Sequence, residues 1–115
     1  MVRTEEQRRE RRFTVRLPLR IVALEGKAVD WIGETRDIGT GGVRFIVANR
    51  LPIGKHVEYM VTLSTYSPAT RIRCTGEILR CVKDGDGCAD GSWEVAATMK
   101  RYVFVPQEEM ELAAV

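Results

Sequence analysis

Residues that commonly bind metals or act as nucleophiles are scarce in this sequence. It has one histidine, His56, and three cysteines, Cys74, Cys81 and Cys88, in 115 residues. The cysteines lie seven residues apart, which differs from the paired C-x-x-C grouping of zinc sites. It also contains no nucleophile motif and no pair of carboxylates placed for acid–base chemistry. The sequence therefore predicts neither a metal site nor a catalytic site, and we expect that the protein is not an enzyme.

Long apolar runs are also absent. No hydrophobic segment approaches the roughly 18 residues needed to cross a bilayer, and the basic N-terminus lacks the apolar core of a signal peptide. An odd number of cysteines without a secretory leader is typical of reduced thiols in a cytoplasm. We therefore expect a cytoplasmic protein that does not contact membranes.

Positive charge, in contrast, is concentrated at one end of the chain. The net charge is only +2 at pH 7, yet the first twenty residues contain Arg3, Arg8, Arg9, Arg11, Arg12, Arg16 and Arg20. Residues 1–10 have no hydrophobic periodicity and are expected to form a flexible arm. So much arginine ahead of the first predicted strand indicates that an anion is held there.

Between residues 11 and 105 the pattern is typical of an all-β domain. Apolar and polar residues alternate in a series of segments joined by glycine-rich turns, and this predicts a six-stranded antiparallel barrel. A barrel also removes the exposed edges that a small open sheet would present. Pro106 suits the first position of a helix, so residues 106–115 are expected to form a short C-terminal helix or tail.

Four details of the strands can be predicted. The segment "FTVRLPLRIVAL", residues 13–24, alternates throughout and is expected to be one strand, with Pro18 at an edge or a bulge. The second strand is expected to be irregular at Gly33, and a later one to contain a bulge at Thr75–Gly76. The last segment, residues 93–105, is expected to be a single strand.

Two local features stand out against the predicted barrel. One is the arginine segment "RRFTVR", Arg11 to Arg16, and the other is "DIGTGG", Asp37 to Gly42, at the end of the second strand. An aspartate before glycines is common in turns, where its carboxylate bonds to the neighbouring backbone. An arginine-rich terminus is commonly a solvated face. Each feature alone is therefore weak evidence for a binding site.

Taken together, the two features resemble the paired motif of the PilZ domain family, "RRxxxR" ahead of the first strand and "D-x-S-x-x-G" between strands two and three. The resemblance covers nearly all of residues 8–115. It implies a six-stranded barrel that binds the bacterial second messenger cyclic di-GMP and relays the signal to a protein partner. The ligand-binding residues that it implies here are Arg11, Arg12, Arg16, Asp37, Gly39, Gly41 and Gly42, with Gly39 where the family has serine.

The residue types suit this ligand. A guanidinium can form two parallel hydrogen bonds with a phosphate or with the O6 and N7 edge of a guanine, and its flat face can stack on a base. Asp37 would accept hydrogen bonds from guanine N–H groups, and Gly41 and Gly42 would let the backbone approach the ligand. Gly39 lacks the serine hydroxyl, a loss that should weaken binding by up to about tenfold.

Alternatives remain open at this point. The segment "RRERR" offers a second register, with Arg8 and Arg12 in place of Arg12 and Arg16. Gly39 also allows a degenerate adaptor of the same family, which binds protein and no nucleotide. An RNA- or DNA-binding barrel would need a basic, aromatic groove. Because the few aromatic residues, Trp31 and Trp93 among them, are expected in the core, no nucleic-acid partner is predicted.

Overall fold

Every regular element in the described part of the chain is a β-strand. The computed structural model describes residues 12–66, 69–83 and 91–105. Its strands are β1 (Arg12–Thr14), β2 (Pro18–Leu24), β3 (Lys27–Gly39), β4 (Gly42–Val47), β5 (His56–Ser64), β6 (Thr70–Lys83), β7 (Trp93–Thr98) and β8 (Arg101–Phe104). The described residues include no helix that could span a membrane. The predicted flexible arm (1–10), Arg11 and the predicted C-terminal helix (106–115) lie outside the described residues.

Six of the strands form a closed antiparallel barrel in the order β3-β2-β5-β6-β7-β4, because β4 pairs back onto β3. The two short strands are added to this ring. Strand β1 continues along β3 beyond β2, and β8 continues along β6 beyond β7. The predicted all-β architecture, a six-stranded antiparallel barrel, is confirmed.

The core of the barrel consists of the inward-facing residues of its strands, which recur at every second position as a half-buried sheet requires. They include Leu19, Ile21, Val43, Phe45, Val57, Tyr59, Val61, Ile72, Cys74, Ile78 and Val95. Burial raises the pKa of the Cys74 thiol to about 12, so this cysteine is a neutral core residue. Trp31 and Trp93 are half-buried and pack against the same cluster. The expectation that the aromatic residues lie in the core is wrong for four others, which are exposed: Phe13, Tyr66, Tyr102 and Phe104.

The first predicted strand is divided in two. The regular pairing with β3 is interrupted at residues 15–17, between β1 and β2. Two backbone bonds remain there, from Val15 N–H to the Arg36 carbonyl at 3.2 Å and from Thr35 N–H to the Leu17 carbonyl at 2.9 Å. The Oγ1 atom of Thr35 donates a hydrogen bond to the carbonyl of Val15 at 2.6 Å and accepts one from the N–H of Leu17 at 2.8 Å. Pro18 then begins β2, a position where a residue without an N–H is tolerated. The prediction of one continuous strand is wrong because the Thr35 side chain, rather than the backbone of β3, bonds the Val15 carbonyl and the Leu17 N–H.

The irregularity of the second strand lies elsewhere than predicted. Gly33 is regularly paired with Leu19 on one side and with Val47 on the other. The register with β4 shifts between Thr35 and Asp37 instead. Glycine is required at position 33 because a Cβ there would lie 2.5 Å from the backbone oxygen of the neighbouring strand β4. Close packing, rather than a bulge, explains this glycine.

The last two strands also differ from the prediction. In β6 the register with β7 shifts between Ile78 and Arg80 rather than at Thr75–Gly76. The segment expected to be one final strand is interrupted at Met99 and Lys100, where β7 ends and β8 begins. Strand β6 pairs with both strands, with β8 through residues 72–75 and with β7 through residues 78–83.

Candidate functional site

The candidate site lies on the outer face of β3, β4, β7 and β6. Residues that face each other across neighbouring strands project from the same side of a sheet. The pairings therefore define two adjacent rows on this face, Asp37, Arg44, Ala96 and Arg80 in one, and Glu34, Ile46, Glu94 and Val82 in the next. We call this eight-residue surface the arginine wall.

The register shift in β3 places Asp37 on this wall. Thr35 is paired with Phe45, whose side chain is fully buried in the core, whereas Asp37 is paired with Arg44 on the outside. Side chains alternate strictly along a strand, so Asp37 would share the inward direction of Thr35 in a regular ladder. The extra residue between them, Arg36, reverses that direction. The bulge thus turns a carboxylate out of the core.

Asp37 is the centre of an ion-pair network. Arg12 donates to its Oδ1 atom from Nε at 3.0 Å and from Nη2 at 2.5 Å. Arg44 donates to Oδ2 from Nε at 2.7 Å, and its Nη2 atom also contacts Oδ2. The remaining Nη1 of Arg44 donates to Oε2 of Glu94 at 2.8 Å. The two arginines cover Asp37 so completely that only 8 % of its side chain is exposed.

The electrostatics of this network favour the charged states of Asp37 and Arg44. Burial alone would raise the pKa of Asp37, but the hydrogen bonds and charges of Arg44 and Arg12 outweigh burial and lower it below its ordinary value. The hydrogen bond to Asp37 likewise raises the pKa of Arg44. Asp37 is therefore ionised, and each of its two oxygens holds one guanidinium group in a fixed orientation. Guanidinium groups positioned in this way are suited to anion binding.

Arg16 lies over the same wall without touching Asp37. It follows β1 in the gap before β2, and its Nη1 atom is 3.6 Å from Oε1 of Glu34, in the second row. Both side chains are largely exposed. The structure thus brings Arg12 and Asp37 together directly and places Arg16 one row away, with its guanidinium accessible to solvent.

The glycines of the candidate site differ in whether the fold requires a glycine at that position. A Cβ at Gly42 would lie 2.6 Å from the backbone oxygen of Ala97 in β7, so this glycine is needed for the barrel itself. A Cβ at Gly41 would meet nothing within 4 Å. Gly39 ends the extended strand β3, opposite Arg12. The predicted role of Gly41 and Gly42 in approaching a ligand stays a prediction.

The sequence left Arg44 open between the site and solvent, and it did not indicate Glu94. Arg44 and Glu94 were not among the predicted site residues, although each is a charged residue in an otherwise apolar strand, "VRFIV" and "WEVAAT". That pattern indicates an outward-facing side chain but not which neighbour it meets. The contact between Arg44 and Glu94 spans 50 positions of the chain, so it depends on the pairing of β4 with β7.

Comparison with known families identifies a domain in the part of the chain that forms this site. The sequence model of the PilZ domain matches residues 6–104, a range that contains both motif segments and all residues of the arginine wall. No curated protein matches the chain. Among the described residues there is also no cluster of His, Cys, Asp or Glu that could hold a metal ion.

Proposed function

This chain belongs to the PilZ domain family, and we propose that it is a receptor for cyclic di-GMP. The family is one of binding and adaptor domains rather than of enzymes. The observation that carries the proposal is the contact between the two halves of the motif. Arg12 and Asp37 are 25 positions apart in sequence, and two hydrogen bonds join them on the outer wall of the barrel. A paired motif that meets in space has the geometry that a shared ligand requires.

Arg12 and Arg16 would bind the ligand through different atoms. Arg12 uses Nε and Nη2 on Asp37, which leaves its Nη1 group to reach a phosphate or a guanine edge. Arg16 is held only by a long contact with the exposed Glu34, so its fork of donors can turn towards the ligand at low cost. Asp37 fixes the first arginine and would accept from a guanine N–H when the ligand displaces part of that contact.

Signal relay would follow from fixing the N-terminal segment. Arg12 begins β1 and is attached to the barrel through Asp37. A ligand bridging Arg11, Arg12 and Arg16 to the wall would set the position of the preceding segment. The resulting surface would be recognised by a protein partner. We place this receptor in the cytoplasm and expect no nucleic-acid or membrane partner.

Isothermal titration calorimetry with cyclic di-GMP tests the proposal. We expect a Kd in the micromolar range, about −8 kcal/mol, because the arginines and Asp37 are present and the motif serine is not. Linear GMP should bind much more weakly, since it cannot engage both arginines in one fixed geometry. A flat titration at high micromolar concentrations of protein and ligand would refute nucleotide binding.

One observation favours a second function, that of a family member that binds only protein. Both oxygens of Asp37 are already occupied by Arg12 and Arg44, and Gly39 offers no hydroxyl. In this alternative the network is a structural feature of the barrel, and the surface recognises a protein without nucleotide. A flat titration with a correctly folded chain would support this alternative.

A further inference from the structure

We propose that the ligand-binding surface extends across the arginine wall to Arg80, with Ala96 as its floor, and that this far part holds the second guanylate half of the dinucleotide. The inference rests on the proposed function, because it names an additional part of the same site. Neither Arg80 nor Ala96 belongs to the paired motif.

The first support is the row that these residues form. Asp37 is paired with Arg44, Arg44 with Ala96, and Ala96 with Arg80, on four successive strands. Neighbouring strands lie about 4.8 Å apart, so the row from β3 to β6 covers about 14 Å. The motif residues Arg12 and Asp37 lie at one end of it. A ligand held only there would use a small part of the wall.

The second support is the apolar floor between the two arginines. Ala96 projects only a methyl group between Arg44 and Arg80, and Ile46 lies beside it in the next row. Both are half-buried. A flat purine can lie on such a floor and stack against the face of a guanidinium. A larger side chain at position 96 would fill the space between the two guanidinium groups.

The third support is the position of Glu94 between the two arginines. Its Oε2 accepts from Arg44 at 2.8 Å, and its Oε1 lies 4.0 Å from Nη2 of Arg80. The latter distance is too long for a hydrogen bond, and the side chain of Arg80 is 57 % exposed. Glu94 therefore attracts Arg80 towards the wall while leaving its donors available for a ligand.

The balance of charge agrees with an anionic ligand in this place. Four arginines and three carboxylates lie on or beside the wall: Arg12 and Arg44 contact Asp37, Arg44 and Arg80 lie next to Glu94, and Arg16 lies next to Glu34. The surplus positive charge lies at the Arg80 end, where the contact to Glu94 is loosest. A phosphate of the second guanylate half would neutralise it through the bidentate contacts that arginine makes with phosphate.

Calorimetry on the full chain tests this inference with two variants and a matched control. Arg80→Ala removes the guanidinium donors at the far end of the row. Ala96→Leu fills the space above Ala96 without removing a charge. Each should weaken cyclic di-GMP binding by about tenfold or more, since Arg80→Ala removes a charge-assisted contact and Ala96→Leu blocks the space that the ligand would occupy. The control is Arg20→Ala, because Arg20 has a similar exposure (54 %) and ion pair with Asp30 at 3.2 Å but lies on β2, away from the wall. It should bind within about twofold of the wild type.

The outcomes separate the inference from the function on which it rests. If the wild type binds and both Arg80→Ala and Ala96→Leu bind equally well, the far part of the site does not exist and the proposed function stands. If the wild type gives a flat titration, the proposed function itself fails. Melting temperatures show whether each variant is folded. Should Ala96→Leu be unstable, Arg80→Ala and Arg80→Glu decide, because an exposed side chain can be changed without disturbing the core.

Discussion

Replacing Asp37 with asparagine removes the negative charge to which Arg12 and Arg44 are both bonded, and we expect it to lower the free energy of unfolding by about 2 kcal/mol. A hydrogen bond between charged groups contributes about 1.5–3 kcal/mol. Asp37 accepts from both arginines, but each arginine side chain is 39 % exposed, so water compensates part of the loss. Asparagine also keeps one carbonyl acceptor. For a domain of this size, the change corresponds to a fall in Tm of about 6–10 °C.

The pH dependence of this effect has a definite sign. The pKa of Asp37 is lowered in the folded protein, so its charge stabilises the fold at pH values above its ordinary value of 3.8. That contribution is lost as the pH falls through the lowered pKa. The difference in stability between the wild type and Asp37→Asn should therefore be constant from about pH 7 to about pH 5 and should shrink below about pH 4.

Urea denaturation followed by tryptophan fluorescence measures both quantities. The matched control is Asp30→Asn, because Asp30 forms an ion pair with Arg20 at 3.2 Å but its side chain is 72 % exposed. This control should change the free energy of unfolding by less than about 0.5 kcal/mol. Equal stability of Asp37→Asn and the wild type at pH 7, or a difference that persists unchanged in acid, would refute the reasoning.

Three further predictions concern the motif residues. Arg12→Ala and Arg16→Ala should each weaken cyclic di-GMP binding by about 2 kcal/mol in calorimetry, and Arg12→Ala alone should also lower Tm; an equal loss of stability in Arg16→Ala would contradict the different contacts of the two residues. Gly42→Ala should lower Tm because its Cβ would lie 2.6 Å from the Ala97 carbonyl oxygen, and an unchanged Tm would contradict the close packing of β4 and β7. Gly39→Ser should tighten binding by up to about tenfold at unchanged Tm, since Gly39 lies in an extended strand that serine tolerates, whereas weaker or unchanged binding would favour the adaptor function.

The architecture of the barrel was largely determined by the sequence, since it depends on local patterns. Apolar residues at every second position, separated by glycine-rich turns, identify strands without any knowledge of their neighbours. The association of the arginine segment with "DIGTGG" could also be recognised from the sequence, because each half of the paired motif is a short contiguous segment. The contact of Arg12 with Asp37 is consistent with that association. Their roles in binding cyclic di-GMP stay predictions.

Only the tertiary structure decided where the strands break and what each outward side chain meets. The Thr35 side chain interrupts the regular pairing of β3 between β1 and β2 through hydrogen bonds to Val15 and Leu17, and no local pattern distinguishes such a threonine from one in a regular strand. The one-residue shift that turns Asp37 outward is a property of the β3–β4 pair, because register is set jointly by two strands. The contact of Arg44 with Glu94 likewise requires strand partners that are distant in sequence. A sequence indicates the face on which a residue lies, whereas the neighbours it finds there depend on how the whole barrel closes.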